Sequence, residues 1–225
     1  MLKISEPGHK GNWQTAWQSK SFRNLTKAGS AALIAIFCFF PFFFKSIEKR
    51  NGTVLNDWLL NIIPSHDASI SIFIFVWAIT LLLIIRMVQQ PNIFIVMLWA
   101  YVIMSILRVG SITFTALNAP VGFIELVDPV VSNIFYRHTL ISKDLFFSGH
   151  TSTAFLMFLC LTKKSDKIFA FVGTLVIASL LLLQHVHYSV DILAAPVFAF
   201  ISYLISKKII SRVSNSEFRV ENSNH

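Results

Sequence analysis

Two short polar motifs interrupt an otherwise apolar sequence, Phe147-Ser148-Gly149-His150-Thr151 and His185-Val186-His187-Tyr188-Ser189-Val190-Asp191. In the second, His187 and Asp191 are four residues apart, so at the start of a helix they share one face. A carboxylate there accepts the proton of one imidazole nitrogen and leaves the other nitrogen as a nucleophile. The same pair also fits a plain helix cap. In the first motif, Ser148 suits an N-cap and Gly149 permits close backbone approach. The helix N-terminus that would follow favours a phosphate, and His150 beside it could protonate a leaving oxygen. Upstream, Arg108 lies in an apolar run, where an arginine needs a partner. It suits a bidentate clamp on phosphoryl oxygens; the alternative is a pairing with Asp128 or Asp144 or a snorkelling side chain. A zinc site from His185, His187 and Asp191 lacks a well-spaced third ligand, because residues two apart point to different helix faces. No metal and no other cofactor is expected.

These groups need a scaffold, and the composition says what kind. Of the 225 residues, 55% are apolar and 13% charged, where a soluble domain carries roughly 25% charged residues. Mean hydropathy is +0.66. Apolar runs at about 28–44, 68–88, 92–113, 148–162, 168–183 and 190–206 predict six membrane spans, since ~20 residues cross a bilayer core. Pro41 is expected to break the first run, and Pro91 to open the third helix. Leu59–Ile63 is expected to form a short interfacial helix stopped by Pro64. The fold class is therefore all-α integral membrane. Residues 1–27 are read as a basic N-terminal segment, with Trp13 and Trp17 on one helix face, 28–206 as the six-helix catalytic domain, and 207–225 as a polar tail.

Thirteen of the 19 basic residues fall on the side of the termini and six on the other. The positive-inside rule makes both termini cytoplasmic and puts Arg108, His150, His187 and Asp191 at the extracytoplasmic face. The chain is expected in a plasma or inner membrane. The net charge of +8 is thus an orientation signal, and nucleic acid is not an expected partner. Cys38 and Cys160 lie within apolar runs at no ligand-like spacing and read as small apolar side chains.

Together these residues resemble the type-2 phosphatidic acid phosphatase superfamily, most closely its sphingomyelin synthase-like branch. Asp144-Leu145-Phe146-Phe147-Ser148-Gly149-His150-Thr151 fits the branch's Asp-x-x-x-Ser-Gly-His-Thr. His187-Tyr188-Ser189-Val190-Asp191 fits its His-Tyr-Thr-x-Asp with Ser for Thr. Arg108 with Ile112-Thr113-Phe114-Thr115 and Pro120-Val121-Gly122 is similar to its arginine-bearing third helix and the exit from it. Two features depart: the branch's Cys-Gly is Ser142-Lys143 here, and the Lys-x6-Arg-Pro motif of soluble-type members is absent. The resemblance implies double displacement through a phosphohistidine. His187 attacks phosphorus, Asp191 holds its ring, and His150 serves as acid and then base. Arg108, Ser148 and Gly149 bind the phosphate, and Asp144 and Tyr188 are accessory. The implied substrate is a phospholipid of the outer leaflet, with a lipid hydroxyl or water as acceptor. Two alternatives stay open: a plain lipid phosphate phosphatase acting on monoesters or diphosphates such as phosphatidic acid, and an inactive lipid-binding membrane protein. A single arginine plus a helix N-terminus matches the charge of a diester better than a monoester's ≈ −1.5 to −2, unless Arg137 and Lys143 fold over the site.

Overall fold

A computed structural model describes residues 12–127 and 142–223. Its helices, in order, are α1 (Trp13–Gln18), α2 (Lys20–Glu48), α3 (Ser69–Gln89), α4 (Pro91–Phe114), α5 (Gly149–Cys160), α6 (Lys164–Leu183) and α7 (Ser189–Ser223). The fold is all-α. Five of these helices are long and apolar enough to cross a membrane, consistent with a multi-span membrane protein. Their outward faces fit lipid: Phe42 is 75% exposed and Leu193 74%, burial that water would have favoured. The expected fourth span is the short one. Helix α5 has 12 residues, about 18 Å at 1.5 Å per residue, well under the ~30 Å core.

Three local expectations are corrected. Pro41 does not break the first span, because α2 runs through it from Lys20 to Glu48. A proline in a membrane helix removes one amide and is tolerated where neighbouring groups re-satisfy the backbone. The helix also starts earlier than the apolar run, at the Ser19 cap, whose hydroxyl accepts from the Phe22 amide at 3.3 Å. Residues 58–62 form turns and not a helix, with Asp57 accepting from the Leu59 amide at 3.0 Å. The last helix continues well beyond residue 206. Pro91 opens α4 as expected.

The core gathers small and branched residues at closely packed helix faces, among them Ile79, Ala100, Ala154, Ile177 and Ala195. Gly173 illustrates the closeness, since a Cβ there would lie 2.7 Å from Ile79 Cδ1. Such small residues let membrane helices approach where no hydrophobic drive exists between them. Helix α4 packs on α7, α2 and α5, while α3 packs on α6. With the short α5 included, successive helices from α2 to α7 alternate in direction, so both polar motifs reach one end of the bundle. There the segments are cross-linked by main-chain bonds: Thr53 N to Ala116 O at 2.9 Å, His66 N to Leu183 O at 3.0 Å, and Ser148 N to Asp191 O at 3.2 Å. Arg50 donates to the carbonyls of Ile112 and Thr113 at 2.8 and 2.9 Å. It thereby supplies positive charge where α4 ends with unpaired carbonyls.

Candidate functional site

His187 is the last residue but one before α7, and Asp191 stands in the helix's first turn. Both are buried, at 3% and 0% exposure. Asp191 Oδ2 lies 3.5 Å from His187 Nδ1 and accepts from the Tyr188 amide at 3.1 Å. The carboxylate therefore caps the helix and faces the imidazole at once, combining the two roles its spacing allowed. The 3.5 Å separation exceeds a formed hydrogen bond, a looseness that catalytic pairs often lose when substrate binds.

The first motif is built against the second. Ser148 is fully buried and caps α5, accepting from Thr151 N at 3.4 Å and donating to Thr151 Oγ1 at 3.1 Å. Its own amide holds the Asp191 carbonyl. Arg108 arrives from the end of α4. Its Nη2 donates to Asp144 Oδ1 at 2.6 Å, and its Nη1 to the Phe147 carbonyl. Ser111 holds the same turn by donating to the Phe146 carbonyl at 2.8 Å. A Cβ at position 149 would stand 2.8 Å from Arg108 Cζ, so the glycine is what lets the guanidinium lie across the start of α5. His150 sets its ring edge-on to Phe73, with centroids 5.9 Å apart.

A cavity of about 510 Å³ opens on these groups. Arg108, Asp144, Gly149, His150 and His187 line it together. Its apolar wall comes from Phe40 and Phe44 of α2, Phe73 and Val76 of α3, and Tyr101 and Met104 of α4. Five of the eight residues expected at the site thus face one space. The other three serve from behind. Asp191 backs His187, and Ser148 caps α5. Tyr188 turns its hydroxyl to the loops, donating to Asn118 O at 2.9 Å and accepting from Leu55 N at 3.1 Å.

Other residues considered for the site lie apart from the cavity. Both ring nitrogens of His185 face carbonyl oxygens, Val121 O at 2.7 Å and Ile63 O at 2.9 Å. Lys143 Nζ donates to the Arg50 carbonyl. Among the described residues no three His, Cys, Asp or Glu side chains group as metal ligands. Asp128 and Arg137 lie outside the described residues.

Three residues were missed from the sequence. Asp57 accepts from the Ser189 amide at 2.6 Å and from its hydroxyl at 3.0 Å, which pins the start of α7 between His187 and Asp191. Burial pushes the Asp57 carboxyl up, but hydrogen bonds from Ser189, Leu59 and Leu60 outweigh it and hold the group below the usual carboxylate range. Gln184 is fully buried and ties three segments. Its Oε1 accepts from Ala68 N at 3.0 Å, and its Nε2 donates to Ser69 Oγ at 2.9 Å and Glu125 O at 3.0 Å. Glu125 itself lines the cavity. No periodicity or motif marks any of the three.

No curated protein matches the chain. Residues 143–208 match the family model described as PAP2 superfamily C-terminal. The matched stretch spans both histidine motifs and leaves Arg108 outside it. A domain of the phosphatidic acid phosphatase type 2 superfamily is therefore present over that stretch.

Proposed function

We propose that the chain is an integral-membrane lipid phosphotransferase or phosphatase that works through a phosphohistidine, in the manner of the sphingomyelin synthase-like branch. The observation that carries this reading is the shared cavity: His150, His187 and Arg108 face one space, with Asp191 behind His187. His187 attacks phosphorus with its Nε2 while Asp191 steadies Nδ1. His150 gives a proton to the departing oxygen, then takes one from water or from an acceptor hydroxyl. Arg108 and the N-terminus of α5 offset charge on the phosphoryl oxygens, where most of the catalysis of phosphoryl transfer lies. The apolar wall from α2 and α3 suits the lipid's chains. These two helices both line the cavity without forming a packed pair, which leaves a way in from the bilayer.

The phosphodiester reading is favoured over the monoester one by how the cations are used. Arg108 is already paired with Asp144, and Lys143 is spent on the Arg50 carbonyl. Among the described residues a monoester's second charge would find little to match it, and unmatched charge is costly away from water.

The test is chemical. Purified protein incubated with labelled phospholipids should release or transfer a head group and yield an acid-labile, base-stable phosphoenzyme. His187→Ala should lose both, with turnover down by about 10⁴-fold or more. Wild-type turnover in His187→Ala would overturn the mechanism. For the placement across the membrane we propose six spans with cytoplasmic termini. Single cysteines at Asn51 and Ser165, both exposed, in a chain lacking Cys38 and Cys160, should label from opposite sides. Labelling from the same side would rule that arrangement out.

A further inference from the structure

The cavity holds one acidic residue that the proposed chemistry does not use. Glu125 lines it together with Arg108, His150 and His187, and among the described residues its carboxylate has no hydrogen bond or ion pair. Its place is fixed through the main chain. Ile124 N donates to Gln184 O at 3.2 Å, and Gln184 Nε2 donates to Glu125 O at 3.0 Å. Gln184 is buried and only three residues before His187, so Glu125 and the imidazole are held in one frame. Around them stand the rings of Phe40, Phe44, Phe73, Tyr101 and Phe123.

Arg108 and Asp144 compensate each other. Among the described residues no cation pairs with Glu125, so it brings a negative charge to the cavity beside the proposed phosphate position. That is unfavourable for a phosphate that brings only anionic charge. It is favourable for one that carries its own cation a few bonds away. A carboxylate among aromatic faces is the surrounding that binds ammonium groups, quaternary ones included.

Resting on the reading of the site as one for a phospholipid head group, we propose that Glu125 is its specificity-determining residue, receiving the ammonium of a zwitterionic head group whose phosphate lies between Arg108 and His187. The test is equilibrium binding of short-chain phosphatidylcholine, phosphatidylethanolamine and phosphatidylglycerol to protein reconstituted in a phosphate-free glycolipid bilayer. The wild type should prefer one or both ammonium lipids to phosphatidylglycerol, and the arm that wins identifies the head group. Glu125→Gln, nearly isosteric, should weaken the ammonium lipids about tenfold to hundredfold and leave phosphatidylglycerol as tight or tighter, because the repulsion of its anionic phosphate is gone. Glu125→Asp should restore part of the preference. An equal loss for all three lipids, or no preference in the wild type, overturns the proposal. The binding is also read on His187→Ala, where discrimination should persist. Failure of the catalytic reading, seen as turnover surviving that substitution, is thus distinguished from failure of this one.

Discussion

Each end of the bundle has an arginine paired with an aspartate, and the two pairs differ mainly in their company. At the end away from the site, Arg86 Nε meets Asp166 Oδ2 at 2.5 Å. The remaining contacts are local, Arg86 Nη1 to Gln89 Oε1 at 2.8 Å and Ser165 to Asp166 at 3.2 Å. This pair joins α3 to α6. At the other end Arg108 meets Asp144 at 2.6 Å, but it also lies over Gly149, holds the Phe147 carbonyl and borders the cavity that His150 and His187 share. The ion pair is the same chemistry at both ends. An arginine in an apolar helix needs a partner in either case, so the pairing alone says nothing about function. Two histidines and a cavity beside the guanidinium are what separate the two.

Exchanging each arginine for lysine tests that contrast most sharply. Arg108→Lys keeps a charge and loses the planar fork, and turnover should fall by about 10²–10³-fold. Arg86→Lys should lower the melting temperature while specific activity of the folded protein stays within about twofold. Equal losses of specific activity in the two variants would erase the distinction. A smaller effect is expected from Asp57, which touches the start of α7 and no cavity group. Asp57→Asn should cut turnover about tenfold by loosening the turn between His187 and Asp191, and lower stability at neutral pH. Its depressed carboxyl sets the sign. The contribution is fully present above the unfolded value of about 3.9 and is lost as pH falls through the folded value. The melting-temperature gap between wild type and Asp57→Asn should therefore narrow below about pH 4. A gap that is unchanged there would assign the effect to packing instead of charge.

Much of this was legible from the sequence, for physical reasons that also mark the limits. Apolar runs of span length must be helical, because no water is present to satisfy an irregular backbone. That located α3, α4 and α6 to within a few residues. The same rule explains the error at Pro41, since the proline rule was carried over from water. The histidine motifs were legible because their members are close in sequence or lie at helix starts. Asp57 was not, since it reaches Ser189 across 132 positions from a loop with no repeat to read. Glu125 was hidden likewise, in a segment whose place is set by one buried glutamine. The sequence also offered Asp128 and Asp144 equally as partners for Arg108. The turn held by Phe147 and Ser111 brings Asp144 to the guanidinium.

The bond from the Ser148 amide to the Asp191 carbonyl has a consequence for how this site can change over time. It joins the two histidine motifs through atoms that every residue but proline possesses. Side chains on either segment of that seam can drift without altering how the segments meet. Replacements at His150 or His187 should therefore read out chemistry on a nearly constant frame. Proline at position 148 is the replacement that would part the seam itself. New acceptors or head groups can be tried by evolution, or by an experimenter, in the cavity wall while the machinery beneath keeps its registration.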